Sequence, residues 1–201
     1  MQRKWRISLV VCVGVFMSSL DLFIVNIAFP SIAKHFGGAS LSSLSWILSA
    51  YAIVFAALLV PAGRWADRIG RRRMLVAGLV TFSVGSLLCG LAPGVGALVA
   101  ARVVQACGAG MMVPASLSLL LAEVPAAARP RAIGTWSAVG ALGAALGPVI
   151  GGSLVQISWR LVFWINLPVG LIAVVLAVRM VTDSKDERVN LLGIKPLSRG
   201  G

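Results

Sequence analysis

The chain has 201 residues, of which 59% are hydrophobic and 12% charged, with a formal net charge of +12 and a mean hydropathy of +0.96. A charged fraction far below the roughly 25% usual in soluble domains excludes an ordinary soluble globule. In a polar chain the pI near 11.5 would suggest nucleic acid, but the basic residues come in short clusters separated by about twenty apolar residues, so no continuous basic face forms and no nucleic-acid partner is expected.

Six apolar segments follow in chain order, at 7–29, 44–62, 74–91, 95–121, 132–157 and 161–181. At a rise of about 1.5 Å per residue each is long enough to cross about 30 Å of hydrocarbon. The expectation is an all-α membrane protein, a bundle of six transmembrane helices over residues 1–182. Residues 183–201 are expected to form a cytoplasmic tail, a truncated linker whose one apolar run, VNLLGI, is too short to span. The opening MQRKWR and the run behind it resemble a signal peptide, but that run holds about 23 residues and contains Asp21, so a retained span is expected.

Orientation follows from the basic residues. With a cytoplasmic N-terminus, the inner segments carry Arg3, Lys4 and Arg6, then Arg64, Arg68, Arg71, Arg72 and Arg73, then Arg129 and Arg131, then Arg179, Lys185, Arg188, Lys195 and Arg199. The outer segments carry Lys34 and Arg160, and Arg102 lies inside a span. This positive-inside bias puts both termini in the cytoplasm of a multi-pass protein, most plausibly of a cell membrane. Trp5, Trp65 and Trp136 then fall near the inner boundary, and Trp46, Trp159 and Trp164 near the outer one, the headgroup level that the indole ring favours. Cys12, Cys89 and Cys107 lie within spans without CxxC spacing and read as small buried residues rather than disulfide partners or metal ligands. His35, the one histidine, is expected in the outer loop after the first span.

The stretch GRWADRIGRRR, Gly63 to Arg73, joins the second and third spans. Its arginines serve topology, whereas Gly63 and Gly70 are expected to permit a tight reversal. Asp67 is expected to pair with a nearby arginine or to accept from the N-terminus of a neighbouring helix. On the fifth span Gly143, Gly147 and Gly151 recur every four residues and would let another backbone approach closely, and Gly152 follows them. Pro148 clashes with the carbonyl of Ala144 and is expected to bend that helix.

GRWADRIGRRR resembles the loop motif GxxxDRxGRR of the major facilitator superfamily, with Gly63, Asp67, Arg68, Gly70, Arg71 and Arg72 in place. LDLFIVNIAFP in the first span is similar to the LDxTIVNVALP pattern of the fourteen-spanner drug:proton antiporters, with Phe23 where a small hydroxyl residue is usual. RVVQACGAG resembles RxxQGxG with Ala106 in place of a glycine, GAALGPVIGG matches the antiporter motif GxxxGPxxGG, and WRLVFWINLPVG resembles the entry to the sixth helix. The resemblance covers essentially residues 1–190 and implies the N-terminal half of that fold.

Asp21 and Arg102, the two ionisable residues within spans, lie at similar depths, about 10–12 Å from the outer boundary, and such groups are costly unless paired or wet. The resemblance implies that Asp21 binds and releases a coupling proton while Arg102 biases and orients it; a static ion pair is the alternative. Gln105, one turn from Arg102, and the further polar residues Asn26 and Asn166 are candidates for the substrate cavity or for interhelical hydrogen bonding. The function so implied is a proton-coupled antiporter exporting drugs or small lipophilic or cationic molecules, present as a half-length chain. A non-transporting membrane interaction protein or an inactive truncated fragment is the alternative. Expected partners are membrane lipid, a small-molecule substrate, the proton, and a second transporter half or a second copy. With no metal-spaced His or Cys cluster, no nucleophile beside a base and no GxxxxGK[ST] loop, neither an enzyme nor a cofactor is expected.

Overall fold

The structure, a computed structural model, describes the backbone of residues 2–181 and the side chains of residues 10–181. The tail expected at 183–201 lies outside the described residues, as do the side chains of Trp5 and of the N-terminal basic cluster. Among the described residues all regular structure is helical: α1 (Gln2–His35), α2 (Leu41–Ile69), α3 (Arg71–Leu91), α4 (Val95–Glu123), α5 (Arg129–Val155), α6 (Leu161–Trp164) and α7 (Asn166–Met180). A single 3-10 turn, Ala126–Ala128, precedes α5, and α6 runs into α7 through Ile165, so that Leu161–Met180 makes one span. Six helices are thus long and apolar enough to cross a membrane.

Why these segments end where they do is mostly local chemistry. Ser40 accepts from the backbone N–H of Ser43 at 3.2 Å and so opens α2 with a side-chain cap. Between α2 and α3 stands Gly70 alone, at φ 119°, the only positive φ among the described residues. A residue with a Cβ resists that conformation, so the reversal depends on this glycine. Gly63, expected to turn as well, instead lies inside α2, where a Cβ would meet Pro114 at an ordinary 3.8 Å. The helix persists there because Arg64 and Arg68 can extend their stems while remaining helical. His35 is likewise not in a loop: α1 continues through Pro30, which removes only one backbone donor, and His35 is its last residue. Pro148 lies inside α5, which is unbroken from Arg129 to Val155.

The helices pack with α1 and α4 at the centre. Of their most apolar stretches 61% is buried, against 22% for α2 and α5, which flank them. α3 lies along α4, and α7 packs on α3 and α1. Lipid-soluble helices gain little from apolar burial alone, so close backbone approach has to hold them together. The glycines of α5 supply it against α1: a Cβ on Gly143 would lie 2.6 Å from the Phe16 carbonyl oxygen, and one on Gly147 would lie 2.8 Å from the Phe23 Cβ. Gly151 meets Ile24 in the same way, at 2.8 Å. The close partner of the glycine stripe is therefore the helix that carries Asp21.

Two apolar cores result. One gathers Met17, Leu75, Leu79, Phe82 and Met112 towards the arginine-rich end. The other gathers Ile24, Ile32, Leu98 and Phe163 towards the opposite end. Asp21 and Arg102 fall where one core gives way to the other, on both of the central helices.

The packing predicts a contrast within α5. Gly143→Ala, whose methyl would press on α1 backbone, should cost about 1–3 kcal/mol, whereas Gly152→Ala, with nothing within 4 Å of the added Cβ, should stay within about 0.5 kcal/mol. Unfolding of the two variants by denaturing detergent measures the difference.

Candidate functional site

At the junction of the cores, side chains from four of the six spans, α1, α3, α4 and the span of α7, join in one hydrogen-bonded network around Asp21. Arg102 Nη1 donates to Asp21 Oδ2 at 2.5 Å and to Gln105 Oε1 at 2.7 Å. Gln105 Nε2 donates to Asp21 Oδ1 at 2.8 Å and to the Ser86 hydroxyl oxygen at 2.6 Å. Asn166 Nδ2 reaches the same two acceptors, Asp21 Oδ1 at 3.3 Å and Ser86 Oγ at 3.2 Å. The Cys89 thiol stands 3.6 Å from Gln105 Oε1. Asp21, Arg102, Gln105 and Ser86 are fully buried and Asn166 is 1% exposed.

The local sequence explains the geometry. Arg102 and Gln105 are one turn apart on α4 and so share a face. Gly85 lets α3 press against Gln105 so closely that a Cβ would lie 2.6 Å from the Gln105 Cα, which delivers Ser86 to the amide. The glycine stripe of α5 backs α1 on either side of Asp21, with Gly143 and Gly147 both against Leu20. Asn166 is the first residue of α7, just after the break at Ile165.

Electrostatics requires this density of partners. A carboxylate or guanidinium taken out of water loses several kcal/mol of solvation, and mutual attraction compensates only when the remaining lone pairs and protons are also bonded. Charge-assisted bonds are the strong class, and both Asp21 oxygens are used. Arg102 Nη2 has no hydrogen-bond partner among the described residues, and the guanidinium instead lies between the Phe163 ring, 6.0 Å from its centre, and two contacts with α2. Arg102 Nε donates to the Ile47 carbonyl at 3.2 Å, and the guanidinium carbon sits 4.0 Å from the centre of the Tyr51 ring. The ring's negative face offers the cation a second stabilising surface where no water competes.

Of the residues singled out in the sequence, Asp21, Arg102, Gln105 and Asn166 are brought together. Asn26 is not: it is exposed, and its Nδ2 bonds back to the Leu22 carbonyl at 2.6 Å. Ser86 and Tyr51 were missed, because a lone Ser or Tyr within an apolar run has no spacing that reveals a partner on another helix. In the loop motif Asp67 accepts from Arg71 across the Gly70 turn, with Nε and Nη2 both at 2.9 Å from Oδ1. Arg72 reaches the other way, its Nη2 donating to the Val178 carbonyl in the last turn of α7 at 2.6 Å. Among the described residues no group of His, Cys, Asp and Glu has metal-site geometry.

A family model described as Major Facilitator Superfamily matches residues 11–199. The chain belongs to the major facilitator superfamily. The riboflavin transporter RibZ of Clostridioides difficile is 35% identical over 199 residues, 96% of this chain and 43% of that protein. The tetracenomycin C resistance and export protein of Streptomyces glaucescens is 42% identical over 187 residues, 92% and 35% of the respective chains. The multidrug resistance protein Stp of Mycobacterium tuberculosis is 40% identical over 177 residues, 87% and 33%. The chain thus spans less than half the length of these superfamily relatives. A bacterial homolog of the human lysosomal transporter Spinster, solved inward-facing and unoccupied, has the same fold with a TM-score of 0.75 at 23% identity, over 90% of this chain and 44% of that one. The xylose transporter XylE of E. coli, in a partially occluded inward-open state, gives 0.78 at 18% identity, over 87% and 49%.

The Tyr51 hydroxyl has no hydrogen-bond partner among the described residues, so its ring and not its oxygen should matter to the site. Tyr51→Phe, which removes a buried unpaired hydroxyl, is expected to leave stability unchanged or to raise it, and Tyr51→Leu to cost about 2 kcal/mol or more. Equal losses in a denaturation series would show that the ring face does not hold Arg102.

Proposed function

We propose that the chain forms one wall, the N-terminal bundle, of a proton-coupled antiporter that exports small lipophilic or cationic molecules. The observation that supports this best is Asp21, an acid kept at the centre of the bundle by donors from α4 and α7. Desolvation favours a protonated carboxyl and a guanidinium favours the anion, so small changes in access to the site can load or unload a proton. Protonation weakens the Asp21–Arg102 bond, the charge link between α1 and α4. Because α5 is seated on α1 and α2 touches Arg102 through Ile47 and Tyr51, the proton state of one residue bears on the positions of all four helices.

Substrate class rests on the relatives, which are named for export of or resistance to tetracenomycin C and methylenomycin A and for multidrug resistance, with riboflavin as a further cargo. Asn26, on the exposed face of α1 beyond Asp21, would meet substrate in a cavity between this bundle and a second one. In superfamily members substrate lies near the midplane between two such bundles. The second bundle would come from further sequence, a separate chain or another copy, packed on the open faces of α2 and α5. The positive-inside bias supports a cytoplasmic side for the GRWADRIGRRR end in a cell membrane.

Proteoliposomes in which this bundle is paired with a second bundle, supplied by the remaining part of a relative such as Stp, test this reading under an imposed proton gradient with the lipophilic cation ethidium. Exchange of protons for ethidium, abolished by Asp21→Asn and by a proton ionophore but partly retained in Asp21→Glu, is the expected result. Full exchange by Asp21→Asn would remove Asp21 from the coupling role. No exchange by the paired, unaltered bundles would favour a non-transporting membrane interaction protein.

A further inference from the structure

Between α3 and α7, at the arginine-rich end, a groove of about 690 Å³ is lined by Arg72, Arg73, Val76, Val80, Thr81 and Val178. Its head is basic and its wall apolar. The head is built rather than incidental, because the Arg72 bond to the Val178 carbonyl holds a half-buried guanidinium at the point where the two helices meet. Below it, Val80 and Val178 are 45% and 47% exposed, and the exposed Val84, Leu87 and Val175 carry the apolar surface on along both helices.

Depth and side decide what can lie there. Arg72 and Arg73 occupy the first turn of α3, itself one of the six spans, so they stand where hydrocarbon gives way to headgroups. The groove lies apart from the open faces of α2 and α5, since α7 packs on α3 and α1. No described helix other than α3 and α7 lines the groove, so lipid is the neighbour that a membrane supplies. Basic pockets between spans favour lipids whose headgroups carry net negative charge.

We propose that this groove binds an anionic glycerophospholipid, with the phosphate against Arg72 and Arg73 and an acyl chain along Val76, Val80 and Val178. The bound lipid bridges the start of α3 and the end of α7, and so braces the bundle beside the Gly70 reversal.

Spin-labelled phosphatidylglycerol and phosphatidylcholine with matched chains, offered to the purified chain in bicelles, give the ratio of the two association constants. The unaltered chain should prefer phosphatidylglycerol. In R72Q/R73Q that preference should fall by about twenty- to thirtyfold, the weight of two arginines near a membrane surface. V80W keeps both arginines but fills the apolar wall at an exposed position, and by keeping the acyl chain out of the groove it should also lower the preference. An undiminished preference in R72Q/R73Q would overturn the proposal. So would an unaffected V80W, since the arginines would then act as plain surface charge, or displacement of the labelled lipid by excess inorganic phosphate, which would make the site one for a free anion.

Discussion

One carboxylate and one guanidinium, both without solvent, sit where the two apolar cores of the bundle meet. Neither charge is tolerable there alone, and the rest of the architecture follows from giving each enough partners. Gln105 bridges the pair, Ser86 and Asn166 extend the network, and α2 covers Arg102 with a carbonyl and an aromatic ring, leaving Nη2 as the one guanidinium nitrogen without a hydrogen-bond partner among the described residues. The polar junction fixes the register of α1 against α4 in a way that apolar side chains, free to slide in lipid, would not.

Glycine does the complementary work. Without a hydrophobic driving force between helices, backbone proximity supplies the dispersion contacts, and three separate seams use it: α5 on α1 through Gly143, Gly147 and Gly151, α3 on α4 through Gly78, Gly85 and Gly108, and α4 on α2 through Gly110. Two of these seams flank the polar network directly. Gly85 brings Ser86 to Gln105, and the α5 stripe grips the turns of α1 around Asp21. Charge pairing and close packing are therefore one construction rather than two.

Much of this was legible in the sequence. Six apolar runs with basic ends, an acid and an arginine at matching depths, and glycines at a spacing of four are properties of single segments, and a segment's own pattern carries them. What lies between segments was less so. The stripe on α5 announced a close neighbour without saying that it was α1. Ser86 and Tyr51 gave no sign of their roles, since their partners are on other helices, α4 for both and α7 as well for Ser86. Gly63 was expected at a turn because glycine commonly sits there, and His35 in a loop because the first apolar run ends at residue 29. The described helices run on past such signals, and among the described residues Gly70 alone adopts a conformation that other residues resist.

The central physical claim is that Asp21 and Arg102 stabilise each other and are each unfavourable in isolation. A double-mutant cycle reads this without any assay of transport: stabilities of Asp21→Asn, Arg102→Gln and the combined variant, measured by reversible unfolding in the same lipid–detergent mixture. Either single change should be costly, and the combined variant should be more stable than the sum of the two losses predicts by about 2 kcal/mol or more, because it leaves no orphaned charge. Losses that simply add would mean that the two side chains do not depend on one another, and the account of the buried junction would be wrong.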